Sequence, residues 1–163
     1  VIHRCLELMT RTPPSITNDV RQQVATEFQF HFNDTGFNEW HDEARRVLHH
    51  PGFQSLFDST RYQTAYNEVA LVYERDNKVV HGVMDRVLVS KDQIVLIDYK
   101  TRRAARPDNL SELADQYREQ MLEYTEGLRH MWPTRTVRSL LLFTTCCATF
   151  EIATDARQAS VRL

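Results

Sequence analysis

Two textures divide the chain. Over the first sixty residues apolar positions recur at helical spacing; further on they alternate, then run together. Ile2, Cys5, Leu6 and Met9 share one face and predict a helix over residues 1–10. "TPPS" at 12–15 breaks it. Thr17, Asn18 or Asp19 can cap a second helix carrying Val20, Val24 and Phe28. "HFNDTG" at 31–36 reads as a loop, with Asn33 or Asn38 starting a third helix whose inner face holds Trp40, Ala44, Val47 and Leu48. Pro51 resets the chain, and a short helix is expected over 51–58.

"EVALVYER" at 68–75 then alternates as a strand should, "DNK" at 76–78 is a hairpin signal, and "VVHGVMDRVLVS" at 79–90 is the returning strand. "KDQ" turns again into "IVLIDYK" at 94–100, whose four consecutive apolar residues predict burial on both faces. Leu110, Leu113, Tyr117, Gln120 or Met121, Tyr124 and Leu128 form a helical stripe over 110–131, ended by Pro133. "VRSLLLFTT" at 137–145 and "TFEIA" at 149–153 complete the strands. The expected class is α/β: a small mixed sheet flanked by helices, with a helical N-terminal segment. A helix crossing between the third and fourth strands implies that those two are parallel.

Composition narrows this. A length of 163 residues suits one domain, and 42% hydrophobic residues suit an ordinary core. The net charge of −2 gives no general attraction to nucleic acid or anionic lipid, so any such affinity needs a local patch. Cys5, Cys146 and Cys147 are too few for a four-thiolate cluster, lack a disulfide spacing, and read as reduced and cytosolic. Cys146 reads as a strand position with Cys147 its neighbour. No apolar run is long enough to span a bilayer. The opening "VIHRCLELM" starts in mid-element and is expected to be a cut from a larger polypeptide.

Chemistry concentrates around the second hairpin. Asp85 lies seven residues before Asp92 at the turn and Asp98 six after, so the two carboxylates fall nearly opposite each other. Paired carboxylates repel, and a hard dication removes that cost. Lys100 leaves the same strand face as Asp98. Alone, Asp98 and Lys100 read equally well as a surface ion pair, worth about 0–1 kcal/mol. Arg102, Arg103 and Arg106 follow as the basic cluster nearest these residues. Arg86, on the other face from Asp85, reads as a structural salt-bridge partner. His49 and His50 suit a helix end.

"HGVMDRV", then "IDYKT", then "YREQMLEY" resemble, in order, the core motifs of the RecB-type branch of the PD-(D/E)xK nuclease superfamily, the C-terminal nuclease module of RecB/AddA-like helicase–nucleases. "VIHRCLE" resembles the family's N-terminal histidine motif, and "EVALVYE" its strand with a leading glutamate, Glu68. The resemblance implies a restriction-endonuclease-like core and a metal-dependent deoxyribonuclease, exodeoxyribonuclease V-like, using Mg2+ or Mn2+. It implies His3, Asp85, Asp98 and the backbone carbonyl of Tyr99 as metal ligands, with Lys100, Asp98, Asp85 and Gln120 catalytic. Arg102, Arg103, Tyr117 and Gln120 would meet DNA, and Glu68 would play at most a minor part. Gly82 would let the backbone pass close by, and Tyr124 would pack.

The expected organisation is a single nuclease domain over 1–163, with a helical part over 1–60 carrying His3 and a catalytic core over 66–155. It would be a fragment of an ATP-dependent helicase–nuclease of double-strand-break repair and recombination. Its partners would be DNA ends, a helicase domain of the same polypeptide and a second helicase–nuclease subunit, in the bacterial cytoplasm at the nucleoid, with no membrane. Two alternatives stand: an inactive DNA-binding or scaffolding module of this fold, and a stand-alone nuclease. Asp85, Asp98 and Lys100 speak against the first; three cysteines speak against an iron–sulfur version of the second.

Overall fold

Short-range periodicity translates directly into the elements of the computed structural model, which describes residues 1–11, 17–31, 33–75, 77–153 and 160–162. Contacts divide the chain into two units, Val1–Ser59 and Thr60–Leu163. The first is helical: α1 (Ile2–Met9), α2 (Thr17–Glu27), α3 (Thr35–Leu48), a 3-10 turn at Pro51–Phe53 and α4 (Gln54–Phe57). Cys5, Leu6, Val20, Val24, Phe37, Ala44 and Val47 are buried, and α1 packs on both α2 and α3. Burial pushes the Cys5 thiol up to about 11, so it acts as a small apolar side chain.

Several boundaries differ from expectation. The cap of α3 is Asp34, whose carboxylate accepts from Phe37 N at 2.9 Å, rather than Asn33 or Asn38. Phe37 and His41 join Ala44 and Val47 on the buried face, while Trp40 and Leu48 are half-buried. Thr17, Asn18 and Asp19 fall inside the first turn of α2. The break expected at 12–15 lies outside the described residues, as does Asp76 of the first hairpin turn. His50 caps the 3-10 turn, its Nδ1 accepting from Gly52 N at 3.3 Å.

The second unit is built on six strands in sequence order: β1 (Thr64–Arg75), β2 (Lys78–Val89), β3 (Gln93–Lys100), β4 (Thr136–Phe143), β5 (Ala148–Ile152) and β6 (Ser160–Arg162). Among the described residues only β3 and β4 pair in parallel, as the crossover demands. Every residue of β3 from Ile94 to Tyr99 is buried, so both faces are covered. The crossover is two helices, α5 (Leu110–Asp115) and α6 (Arg118–Met131), where periodicity alone predicts one. At the joint Tyr117 N bonds Ala114 O, a tighter turn that carries no Gly or Pro signal. Leu110, Ala114, Met121, Tyr124 and Leu128 pack with Leu71, Met84, Val87, Leu96 and Leu141 in one core. β4 stops at Phe143, and Cys146 and Cys147 sit in the turn to β5, not in a strand; Cys147 takes a φ of 48° there. Among the described residues no helix is long and apolar enough to cross a membrane.

Candidate active site

β2 changes character at Asp85. The β2–β3 ladder ends at Arg86↔Ile97, and one step further would set Asp85 opposite Asp98. The β1–β2 ladder has partners at Asn67↔Arg86 and Val69↔Met84, with Glu68 and Asp85 between them. Glu68 has a φ of 51°, the left-handed region that costs a non-glycine residue about 1–3 kcal/mol. Met84 and Val87 join the same core, although strict alternation would send them to opposite faces. The alternation therefore slips at Asp85. Outside the ladder, its carboxylate turns to the end of β3, where Oδ2 accepts from Tyr99 N at 2.6 Å.

Asp98 and Lys100 lie one pleat apart on the same face of β3. Lys100 Nζ stands 2.6 Å from Asp98 Oδ2, with side-chain exposures of 14% and 7%, so this is an ion pair largely removed from water. Its ammonium also lies 3.9 Å from the centroid of the Tyr117 ring and donates to Gln120 Oε1 at 3.4 Å. Gln120 Nε2 in turn donates to Tyr124 Oη at 3.3 Å. Burial raises the Tyr124 phenol, and the charges of Asp98 and Asp85 raise it further, so its proton is held. The carbonyl at the end of β3, Lys100 O, accepts from the amide of Thr144, just past β4, at 3.0 Å.

A second network backs this rim. Arg86 is fully buried and donates to Asn67 Oδ1 at 2.7 Å. Burial lowers its guanidinium, and burial raises the Tyr99 phenol. The bond from Arg86 to the Asn67 amide oxygen links β2 to β1 beside the irregular Glu68 position.

The sequence-predicted residues fall into three groups. Asp85, Asp98, Lys100, Gln120, Tyr117 and the backbone of Tyr99, whose carbonyl was the expected ligand and whose amide bonds Asp85, converge at the end of β3. Arg102 reaches the same place by donating to Tyr117 Oη and to Gln116 Oε1, while Arg103 and Arg106 are exposed on the loop after β3. Glu68 is exposed on β1, and His3 is half-buried on α1 in the other unit. Tyr124 was expected to pack; it does, and its hydroxyl also bonds Gln120, which the Y-x-x-Q-x-x-x-Y spacing signals only as a shared helix face.

Two carboxylates meet one ammonium at this rim, leaving net negative charge on oxygen donors. That set fits a hard dication such as magnesium or manganese. Among the described residues of this unit, no further His, Cys, Asp or Glu completes a group of three with them.

The chain is 33% identical over 70 residues to an ATP-dependent helicase/nuclease subunit from Lactococcus lactis subsp. lactis (strain IL1403), covering 43% of this chain and 6% of that protein. It is 36% identical over 74 residues to the protein of the same name from Streptococcus pneumoniae (strain CGSP14), covering 42% of this chain and 6% of that protein. The chain thus spans a small fraction of the length of these relatives. The crystal structure of SSO0001 aligns at a TM-score of 0.40 and 14% identity, over 93% of this chain and 65% of that one. The model of the PD-(D/E)XK nuclease superfamily matches residues 1–159, nearly the whole sequence, and the chain belongs to that superfamily.

Proposed function

We propose that this domain hydrolyses phosphodiester bonds in DNA with a divalent cation, magnesium or manganese, held at the rim formed by Asp85 and Asp98. The observation that carries the proposal is the buried Asp98–Lys100 pair at 2.6 Å, with Asp85 bonded to the intervening Tyr99 amide. The Tyr99 carbonyl is a further oxygen for the ion, and the family resemblance adds His3. Bound there, the ion supplies positive charge at the phosphate and lowers the pKa of a water.

The chain's own groups do the rest. Asp98 and Gln120 engage the Lys100 ammonium, which has a third hydrogen to donate to the attacking water or to a phosphate oxygen. Gln120 and the Tyr117 face keep that ammonium from swinging into solvent. Arg102 and Arg103, exposed past the strand end, take the neighbouring phosphates and set the DNA path. Glu68 adds negative charge nearby without holding the ion.

We infer that cleavage itself needs no motor, since the groups proposed to act on the phosphate, Lys100, Arg102 and Arg103 with Asp85 and Asp98, come from one unit. A nuclease acting on its own is the reading favoured here. Service within a helicase–nuclease of double-strand-break repair, exodeoxyribonuclease V-like and cytoplasmic, is the second reading, supported by the names of the relatives.

The test is incubation of the purified chain with labelled linear single- and double-stranded DNA, without ATP, in Mg2+, Mn2+ or EDTA. Cleavage is expected with either metal and not with EDTA, and Asp98→Ala should lower it by at least about a hundredfold. A silent wild type, or equal cleavage by Asp98→Ala, sinks the nuclease reading and leaves a DNA-holding module. His3→Ala is expected to weaken Mn2+ binding as well as cleavage; unchanged Mn2+ affinity removes it from the ligand set.

A further inference from the structure

Tyr124 is only 5% exposed, and two hydrogen bonds meet at its hydroxyl. Gln120 Nε2 donates to Oη at 3.3 Å, and the backbone amide of Val83 on β2 bonds it as well. A Cβ at Gly82 would lie 2.5 Å from the same oxygen, so only glycine leaves the ring its seat against β2.

These contacts have a direction. An ammonium carries hydrogens and no lone pair, so Lys100 can be met only by the carbonyl oxygen of Gln120, and Oε1 faces it at 3.4 Å. An exposed glutamine amide turns over freely unless something holds its other end. Here the NH2 end is held by Tyr124.

We propose that Tyr124 is a positioning residue: its hydroxyl, seated over Gly82, holds the Gln120 amide with the carbonyl toward Lys100 and so keeps the ammonium beside Asp98. The proposal rests on the reading that Lys100 serves DNA cleavage. It joins the glycine of "HGVMDRV" and the second tyrosine of "YREQMLEY" into one device acting on the lysine of "IDYKT".

A double-mutant cycle tests it: wild type, Tyr124→Phe, Gln120→Ala and the double variant, cleaving saturating DNA in Mg2+. Phenylalanine keeps the ring and loses the oxygen. Tyr124→Phe should lower kcat about tenfold, the scale of one hydrogen bond, with KM for DNA unchanged. The double variant should be no slower than Gln120→Ala. Losses that multiply, or wild-type kcat in Tyr124→Phe, overturn the proposal. A second readout needs no cleavage: 15N NMR of the Gln120 side-chain amide and the Lys100 ammonium. Both signals should move in Tyr124→Phe, and neither in Leu122→Ala on the outer face of α6. Unmoved signals in Tyr124→Phe refute the device even in a chain that cuts DNA. Signals that move in a chain that cuts none support the device and refute the nuclease reading alone.

Discussion

The two halves of β2 differ in kind. From Arg86 to Val89 the strand is paired to β1 on one side and β3 on the other, and all four residues are buried. From Lys78 to Met84 it is paired to β1 alone, and Val79 and Val83 are 68% and 48% exposed. Asp85 is the residue between. Deeper in the sheet its carboxylate would be desolvated without a partner, at a cost of several kcal/mol. Further out, it would have no second strand to hold it. At the changeover it has both a backbone amide to bond, Tyr99 N, and access to solvent. The candidate catalytic rim thus lies where a two-sided sheet becomes a one-sided hairpin.

That contrast can be tested in order of expected effect. Leu96→Ala, in the two-sided half's core, should destabilise the chain by about 2–5 kcal/mol in urea melts. A loss below that range would mean the half is less tightly packed than the burial of Leu96 implies. Gly82→Ala, in the hairpin half but against Tyr124, should cost about 1–3 kcal/mol and slow cleavage, because the added methyl overlaps the phenol. Stability and rate both at wild-type level would mean that the ring has another seat. At the changeover, Glu68→Val should cost about 1–2 kcal/mol relative to Glu68→Gly, since a β-branched residue is strained at positive φ. Equal melts would show that the left-handed conformation relaxes without cost. Val72→Thr, on the open face at 71% exposure, should change stability by less than about 0.5 kcal/mol. A larger loss would show that this face is covered in solution.

Much of this was legible in the sequence because the signals are local. The apolar run "IVLI" could only be a strand covered on both sides, and the stripe from Leu110 to Leu128 could only be helical. Counting from the turn at Asp92 placed Asp85 and Asp98 across from each other, since antiparallel register adds without ambiguity once the turn is known. Gln120 and Tyr117 came from the resemblance of "YREQMLEY" to the family's helix motif. Other features had no local signal. Nothing in "ADQYREQ" marks the break between α5 and α6, and nothing in "YNEVA" marks a left-handed glutamate. β6 is three residues long, too short for alternation to show. The bond from Tyr124 to Gln120 was hidden because helical spacing says which residues share a face, not which atoms touch.

The sequence by itself determined the order of elements, the parallel β3–β4 pairing and the identity of the charged residues near the rim. Each follows from chain-local rules of periodicity, turn chemistry and crossover length. Only the tertiary structure decided where the β1–β2 pairing lapses, at Glu68 and Asp85 in an otherwise unbroken register, and with it why the Asp85 carboxylate serves β3. Only it decided that Lys100 is ringed by Asp98, Gln120 and Tyr117 instead of lying along the surface. The reason is physical: backbone hydrogen bonds and buried charges must be satisfied across strands and helices far apart in the chain, and no local pattern records how they divide their partners.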